Sequence, residues 1–443
     1  MIAENIVDYA IKSGASEAEV YLAELDSMSV NFTSKDKKIL TTTETGLGIR
    51  VAVGKRLGFV STSILSENEA EKAAIKALKI AKASPEDPYW SGFNKKSGSA
   101  SVKDLYDRSI TALTPLELVE LVDDGLKIVS EYDPRVTPAA GAIEATKGKI
   151  TYVNNHIDEL SRSSTMISGY MYAKAEDNGK QSTGSEDDQS RNLSGFNFEK
   201  TAQEAAVQSL RYLDAKPLKG GEMAVIIKND VFGSFLSVML SSPINALSVQ
   251  RGTSPLAGKI GEKIGTDNIT LTDEGAMRGG IVSRPFDDEG HRTQTTTVID
   301  EGTLITYLYD NYTGNKDDHE STGNAFRNGY RSEAIPSTSN LVLRPSDASF
   351  DELISSTQNG LYIESVIGEW LSNSVSSELN ATVTHGHLVE NGELSQPVKG
   401  VVLAGNFLDI IKRGIEVVGS DVKQSGGVYS PTVKISKLTI AGN

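Results

Sequence analysis

The chain has 443 residues, enough for two or three domains, and its 38% hydrophobic residues and 40 glycines are sufficient for sizeable cores. A formal net charge of −15 makes nucleic acid an unfavourable partner, and the lack of cysteine excludes disulfides, Fe–S clusters, thiol catalysis and cysteine-bound zinc. The first residues carry Glu4 and Asp8 instead of the basic region of a secretory signal, and no apolar run approaches the roughly 18 residues of a membrane span. We therefore expect a cytoplasmic protein that binds neither nucleic acid nor membrane.

The first 83 residues predict a helix, a meander of antiparallel strands and a second helix. The helix covers residues 6–12, and period-two alternation broken by glycine and lysine turns over 46–62 favours a hairpin with its turn at 54–56. Ser66 and Glu69 have the spacing of a capping box, which indicates where the second helix begins.

Residues 84–216 continue the mixture of strands and helices. Residues 84–113 have little pattern and are predicted to cross the surface. Thr114 and Glu117 form a second capping box with proline at the first helical position. The remaining predicted elements are strands at 142–154 and 164–174, an exposed loop or frayed hairpin at 175–195, and a helix at 198–213.

A domain boundary is predicted at Pro217, just before Gly220 and Gly221, which gives domains 1–216 and 217–443. The second domain has one strand at 223–228 and one helix at 231–240 before strand-like runs dominate. The fold class is therefore α+β, an N-terminal domain of antiparallel strands and helices followed by a β-rich C-terminal domain. The later predicted strands are 295–299, 304–308, 339–343, 361–367, 381–389, 400–403 and 432–440.

The five histidines do not form the helical His-Glu-x-x-His pattern of a zinc peptidase. His385 and His387 are two residues apart on a predicted strand, so their rings share one face and are compatible with metal binding. A third ligand is not visible, and ordinary strand packing explains the pair equally. The acidic cluster 317–320 could hold a hard cation, but a solvated loop explains it better.

The remaining polar motifs do not assemble a catalytic site. A Gly-x-Ser-x-Gly nucleophile elbow is absent from the sequence. The tyrosines of 307–312 could line a peptide groove, or they could simply pack within a strand. The residues alone indicate a two-domain protein without a visible catalytic constellation.

Several tracts across the chain together resemble the TldD/PmbA family. Each tract is weak singly, whereas their order and spacing are specific. They are GLGIRV at 46–51, RLGF at 56–59, RGTS at 251–254, GKIGE at 258–262, DDEG at 287–290, TLITYLYDNYTGNK at 303–316, STGNA at 321–325, GVVLAGN at 400–406 and SPT at 430–432.

The resemblance implies an α+β domain followed by a β-rich domain, and a peptidase function. The TldD branch is a zinc metallopeptidase with His-Glu-x-x-x-His just before the RGTS-like tract and a cysteine near the C-terminus. The PmbA (TldE) branch lacks these ligands and pairs with TldD subunits; such pairs cleave unfolded or modified peptides, and the family has also been called modulators of DNA gyrase. Here residues 232–254 contain no His, Glu or Asp, and there is no cysteine. The resemblance therefore implies a PmbA/TldE-like subunit without a metal or catalytic residues of its own, and zinc only in a TldD-like partner.

Three hypotheses follow. The first is a non-catalytic subunit that forms a heterodimer with a TldD-like zinc peptidase. The second is a peptidase in its own right that uses His385 and His387, and the third is a homodimer that binds extended peptide at strand edges. The predicted peptide-binding residues are Arg251, Tyr309, Gly323 and Asn324, polar or turn residues in the family-like tracts.

Overall fold

A computed structural model describes residues 2–442 and has the α+β fold predicted from the sequence. The first half contains five helices and six strands within the described residues. The helices are α1 (Ile2–Lys12), α2 (Glu67–Ala83), α3 (Arg108–Ala112), α4 (Pro115–Tyr132) and α5 (Phe198–Arg211). The strands are β1 (Glu17–Thr33), β2 (Lys37–Val53), β3 (Arg56–Thr62), β4 (Val136–Asn154), β5 (Ile157–Asp177) and β6 (Lys180–Ser190).

The six strands form one antiparallel sheet in the order β3-β2-β1-β4-β5-β6. Helices α1 and α2 cover one end of a sheet face, and α4 and α5 cover the other end, so two separate cores result. The predicted capping box at Thr114 is present in both directions and fixes the start of α4. Ser66 accepts a hydrogen bond from the Glu69 amide at the start of α2, as expected.

The second half is rich in strands. Its described helices are α6 (Asn229–Leu240), α7 (Ala246–Gln250), α8 (Asn311–Lys316), α9 (Phe350–Ser355) and α10 (Phe407–Asp409). Its strands are β7 (Gly221–Ile227), β8 (Leu271–Glu274), β9 (Thr295–Asp300), β10 (Thr303–Leu304), β11 (Ala325–Phe326), β12 (Ile335–Pro336), β13 (Leu341–Leu343), β14 (Asn359–Ile367), β15 (Glu378–Glu390), β16 (Glu393–Val398), β17 (Val401–Asn406), β18 (Ile415–Val418), β19 (Lys423–Ser425), β20 (Val428–Ser430) and β21 (Val433–Ala441).

Five of these strands close into a ring in the order β14-β7-β21-β17-β15, because β14 pairs with both β7 and β15. A second sheet, β10-β9-β8-β13-β20-β19, lies beside the ring, and α6 packs against β19 and β20. The largest core lies among these elements and includes Phe232, Phe235 and Phe407. No helix among residues 2–442 has the length and apolar character required to cross a membrane.

The sequence predicts an exposed loop or a frayed hairpin over 175–195, and the loop alternative is wrong. β5 and β6 continue as a regular hairpin, joined at Asn178 and Gly179, which both have positive φ. An Asn-Gly pair is the usual sequence of such a tight turn. The segment is polar because β6 is an edge strand, and its inner face meets α5 at a residue without a side chain, Gly184.

Two other segments also differ from expectation. Residues 84–113 do not merely cross the surface, because Trp90, Phe93 and Asn94 are buried. The predicted strand 304–308 is paired only at its start, in β10. Leu308 instead exchanges backbone hydrogen bonds with the turn before α7, through the carbonyl of Ile244 and the amide of Ala246.

Candidate functional site

The two halves meet at a buried cluster of charged residues. We call this cluster the junction network. It contains five carboxyl groups and four guanidinium groups, together with the hydroxyl of Tyr152. The carboxyl groups belong to Glu19, Asp287, Asp288, Glu289 and Asp310, and the guanidinium groups to Arg50, Arg162, Arg284 and Arg327.

Glu19 on β1 is the centre of the network's first half. Its Oε1 accepts hydrogen bonds from Arg50 Nε at 2.8 Å and from Arg327 Nη2, and its Oε2 accepts one from the Tyr152 hydroxyl at 2.8 Å. Burial alone would raise the pKa of Glu19, but the two guanidinium groups outweigh it and hold the pKa below its ordinary value. Because Arg327 comes from the second half, this one carboxylate links both halves.

The Asp287–Gly290 turn is fixed by its own carboxylates. Asp287 Oδ1 accepts from the amides of Glu289 (3.0 Å) and His291 (2.9 Å), and Oδ2 accepts from Ala325 (3.0 Å). Asp288 Oδ2 accepts a hydrogen bond from the Arg327 amide at 2.7 Å, and the Asp288 carboxylate forms ion pairs with Arg162 and Arg284. These bonds explain why a tract of three consecutive acidic residues can be buried.

Glu289 occupies the centre of the junction. Its Oε1 accepts from Arg50 Nη2 at 3.2 Å and its Oε2 accepts from the amide of Asn311 at 2.9 Å. Burial, with the negative charge of Asp310 beside it, raises the pKa of Glu289 to about 8.

A cavity of about 360 Å³ opens on one flank of the network, and we call it the junction cavity. One wall is the irregular segment 91–96 of the first half, and the other is α8 with the residues around it. The lining residues are Ser91, Gly92, Phe93, Asn94, Lys95, Lys96, His291, Asn311, Asn315, His319, Glu320 and Ser321.

Three of the four predicted peptide-binding residues lie together near this cavity. Tyr309 is buried, and the ring of the cavity residue His319 stacks on it with centroids 4.4 Å apart. Gly323 has φ of 75°, and a Cβ there would be 2.6 Å from the Arg292 carbonyl oxygen. Asn324 is buried, and its amide donates to Asp273 at 2.8 Å. These contacts give Gly323 and Asn324 structural roles; their contact with a peptide stays a prediction.

Arg251, the fourth predicted residue, is not part of this group. It is exposed at the C-terminal end of α7, where its backbone amide donates to the Leu247 carbonyl. Its contact with a peptide also stays a prediction.

His385 and His387 lie in a different place, on β15, where their rings face Tyr212 at the end of α5. The Tyr212 ring contacts both imidazoles, its hydroxyl donates to Glu364, and His387 Nδ1 is 2.9 Å from the same hydroxyl. Burial lowers the pKa of both histidines. Among residues 2–442 no group of three or more His, Cys, Asp or Glu side chains is placed to hold a metal, so the pair has no third ligand there.

The window 232–254, where the resemblance places zinc ligands, forms α6, α7 and the turn between them. Ser237 and Ser242 are exposed on it, whereas its phenylalanines and Met239 enter the core. Hydroxyl, apolar and amide side chains do not supply the imidazole and carboxylate donors that zinc prefers. The residues of this window therefore do not fit a catalytic zinc.

Family models for three consecutive domains match most of the chain. The PmbA/TldA metallopeptidase domain 1 matches residues 18–81, the central domain 108–213 and the C-terminal domain 220–442. The chain belongs to the PmbA/TldA metallopeptidase family. The resemblance noted in the sequence is thereby confirmed at the level of the family.

Individual relatives agree with this assignment. The chain is similar to a metalloprotease of Methanocaldococcus jannaschii, with 29% identity over 86% of this chain and 84% of the relative, and to a Haemophilus influenzae PmbA homologue, described as a metalloprotease, with 26% identity over 99% and 94%. A Thermotoga maritima structure named for modulation of DNA gyrase superposes with a TM-score of 0.91 at 26% identity and covers 99% of both chains. TldE of Thermococcus kodakarensis shares the fold, with a TM-score of 0.91, 22% identity and complete coverage of both chains.

Sequence reasoning missed Glu19, Asn94, His291 and Arg327 as members of this region. One available signal was Arg50, a charged residue inside the apolar run GLGIRVAV, which needs a buried partner. A second signal was the run of acidic residues at 287–289. Neither signal identifies the partners, which are 31 and 239 positions from Arg50.

Proposed function

We propose that this chain is a PmbA/TldE-like subunit of a metallopeptidase that acts on unfolded or modified peptides, and that it carries no catalytic zinc itself. Membership in the metallopeptidase family supports the peptidase context. The observation that supports the absence of a catalytic zinc is the composition of residues 232–254, which contain no His, Glu or Asp.

The partner in this proposal is a zinc-bearing homologue of the chain. A zinc peptidase needs about three protein ligands, an open position for water and a carboxylate base. A subunit without these groups can still bind and orient a peptide and exclude water from it, which lowers the entropic part of the barrier. We assign those tasks to this chain and the activation of water to its partner.

Metal analysis tests the first part. The full chain, purified without added zinc, is analysed beside a family member that has the His-Glu-x-x-x-His motif and is purified in the same way. We expect zinc in the motif-bearing control and far less than one zinc per chain in this protein. About one tightly bound zinc per chain would overturn the proposal.

Mixing tests the partnership. We expect this chain and the zinc-bearing homologue to co-elute as a complex that cleaves an unfolded peptide faster than the homologue alone, while this chain alone is inactive. A stable complex of two copies of this chain that excludes the homologue would contradict the heterodimer and support a homodimer. Peptide cleavage by this chain alone would contradict the non-catalytic role.

A further inference from the structure

The junction cavity has a positively charged mouth in a chain of net charge −15. Lys95 is exposed, and within residues 2–442 its ammonium group has no hydrogen-bond or ion-pair partner. Lys96 is paired with Glu320 at 2.5 Å, but both side chains are at least three-quarters exposed, so water screens this pair and leaves it easily opened. The mouth therefore offers one unpaired cation.

Deeper in the cavity, His291 provides a nitrogen that lacks a partner. Its backbone amide is bonded to Asp287, which fixes the position of the residue. Its Nε2 is buried and makes no hydrogen bond within the described chain. A buried polar atom without a hydrogen-bond partner destabilises the folded protein. A ligand that accepts a hydrogen bond from the Nε2–H tautomer would remove that cost.

The second histidine of the cavity is held in one orientation. His319 Nδ1 donates to the Glu320 carbonyl at 2.7 Å, and its ring is nearly parallel to Tyr309 at 14°. With its proton on Nδ1, the neutral ring has an acceptor at Nε2, so His319 shapes the cavity wall and donates no hydrogen bond to an anion. Tyr309 packs under this histidine, and its contact with a peptide stays a prediction.

The charges behind the cavity wall limit the charge of the ligand. The Arg50 guanidinium lies over the cavity residue Phe93, 4.9 Å from the ring centroid, and is already paired with Glu19 and Glu289. The Asp310 carboxyl is buried close to Glu289. The Glu19 carboxylate, whose pKa is held below its ordinary value, would repel a dianion such as phosphate more strongly than it would repel a single negative charge.

We propose that the junction cavity binds a carboxylate, namely the C-terminal carboxylate of a peptide. The Lys95 ammonium supplies the countercharge and His291 Nε2 a hydrogen bond, and a volume of about 360 Å³ is within the range of small ligand sites. The choice of a peptide rests on the proposed function, whereas the choice of a carboxylate rests on the cavity itself.

Calorimetric titration of the full chain tests this inference without any partner subunit. The probes are N-acetylated tetra-alanine with a free C-terminus, the same peptide with a C-terminal amide, sodium acetate, and inorganic phosphate. We expect the free acid to bind at least about tenfold more tightly than the amide, as is typical when a charge-assisted contact is lost. Acetate should bind more weakly than the peptide acid, and phosphate should not compete with it.

Variants locate the binding. We expect Lys95→Glu to weaken binding of the peptide acid at least about tenfold and His291→Gln to weaken it severalfold. Lys35→Glu makes the same charge change at an exposed lysine between β1 and β2 and should leave the affinity unchanged. Because Lys95 has no partner, Lys95→Glu should fold normally, which unchanged circular dichroism would verify.

Several results would overturn the inference. Equal affinity for acid and amide, unchanged affinity in Lys95→Glu, or no binding of the acid would each remove the carboxylate site. Equal affinity for acetate and the peptide acid would assign the cavity to a small free acid and overturn the peptide part. None of these results depends on zinc or on peptide cleavage, so they test the cavity independently of the proposed function.

Discussion

At the scale of single residues, Glu289 should make stability depend on pH. Its folded pKa is raised to about 8, so between its ordinary value and pH 8 the folded state keeps a proton that the unfolded state has released. Stability therefore falls as pH rises through this range, by at most about 1.4 kcal/mol per pH unit. Glu289→Gln removes the titrating group while it keeps the size of the side chain.

The measurement is the urea midpoint at pH 6 and at pH 8 for the wild type and for Glu289→Gln. We expect the wild type to lose more stability over this interval than the variant loses. Glu131→Gln, at an exposed position on α4, is the control and should behave as the wild type does. Equal losses in the wild type and in Glu289→Gln would show that Glu289 is already ionised at pH 6.

The contacts of these residues are hard to predict from the sequence because their partners are far away along the chain. A charged residue in an apolar strand, such as Arg50, indicates that a buried partner exists. The identity of the partner depends on how the two halves meet, and the contact of Arg327 with Glu19 spans 308 positions. The same limit applies to Asn324, whose polar character suggests a peptide contact and gives no sign that its amide donates to Asp273, 51 positions earlier.

At the scale of elements, both edge strands of the first sheet touch a helix through a glycine. A Cβ at Gly184 of β6 would lie 2.1 Å from the Ala205 carbonyl oxygen of α5, and one at Gly58 of β3 would lie 2.1 Å from the Ala77 carbonyl oxygen of α2. Both neighbours are backbone atoms, so the helix itself would have to move. These two glycines therefore set the distance between helix and sheet.

We expect Gly184→Ala and Gly58→Ala each to destabilise the protein by about 1–3 kcal/mol, the usual cost of overpacking, or more where the helix cannot shift. Gly148→Ala in β4 is the matched control, since its Cβ would have no neighbour closer than 3.7 Å. Urea midpoints of the three variants provide the measurement. Equal midpoints for Gly184→Ala and Gly148→Ala would show that α5 adjusts without cost.

Local patterns predicted most of these elements, and they failed where pairing is not local. Alternation and capping identified the hairpin, whose turn is Gly54–Lys55 because Arg56 already pairs with Val53, and the start of α4. The closed ring of strands could not be predicted from local patterns, because it requires the last strand, β21, to pair with β7 more than 200 positions earlier. The five-residue tract 304–308 shows the reverse error, because tertiary hydrogen bonds to the α7 region replace strand pairing.

At the scale of the whole molecule, Glu19 should couple the stability of the two halves. It is fully buried and compensates two guanidinium groups, Arg50 from the first half and Arg327 from the second. Glu19→Gln has the same shape but leaves both cations without their shared anion. Removal of one partner from a buried ion pair costs about 3–5 kcal/mol.

We expect Glu19→Gln to lower the thermal midpoint clearly and to increase hydrogen exchange in segment 91–96, which closes the junction from the first half. Asp214→Asn breaks the exposed ion pair with Lys180 and should change neither measurement, because water already screens that pair. A Glu19→Gln midpoint equal to that of Asp214→Asn would mean that Glu289 or Asp288 replaces Glu19 as counter-ion. In that case the junction network distributes its charge, and no single carboxylate holds the halves together.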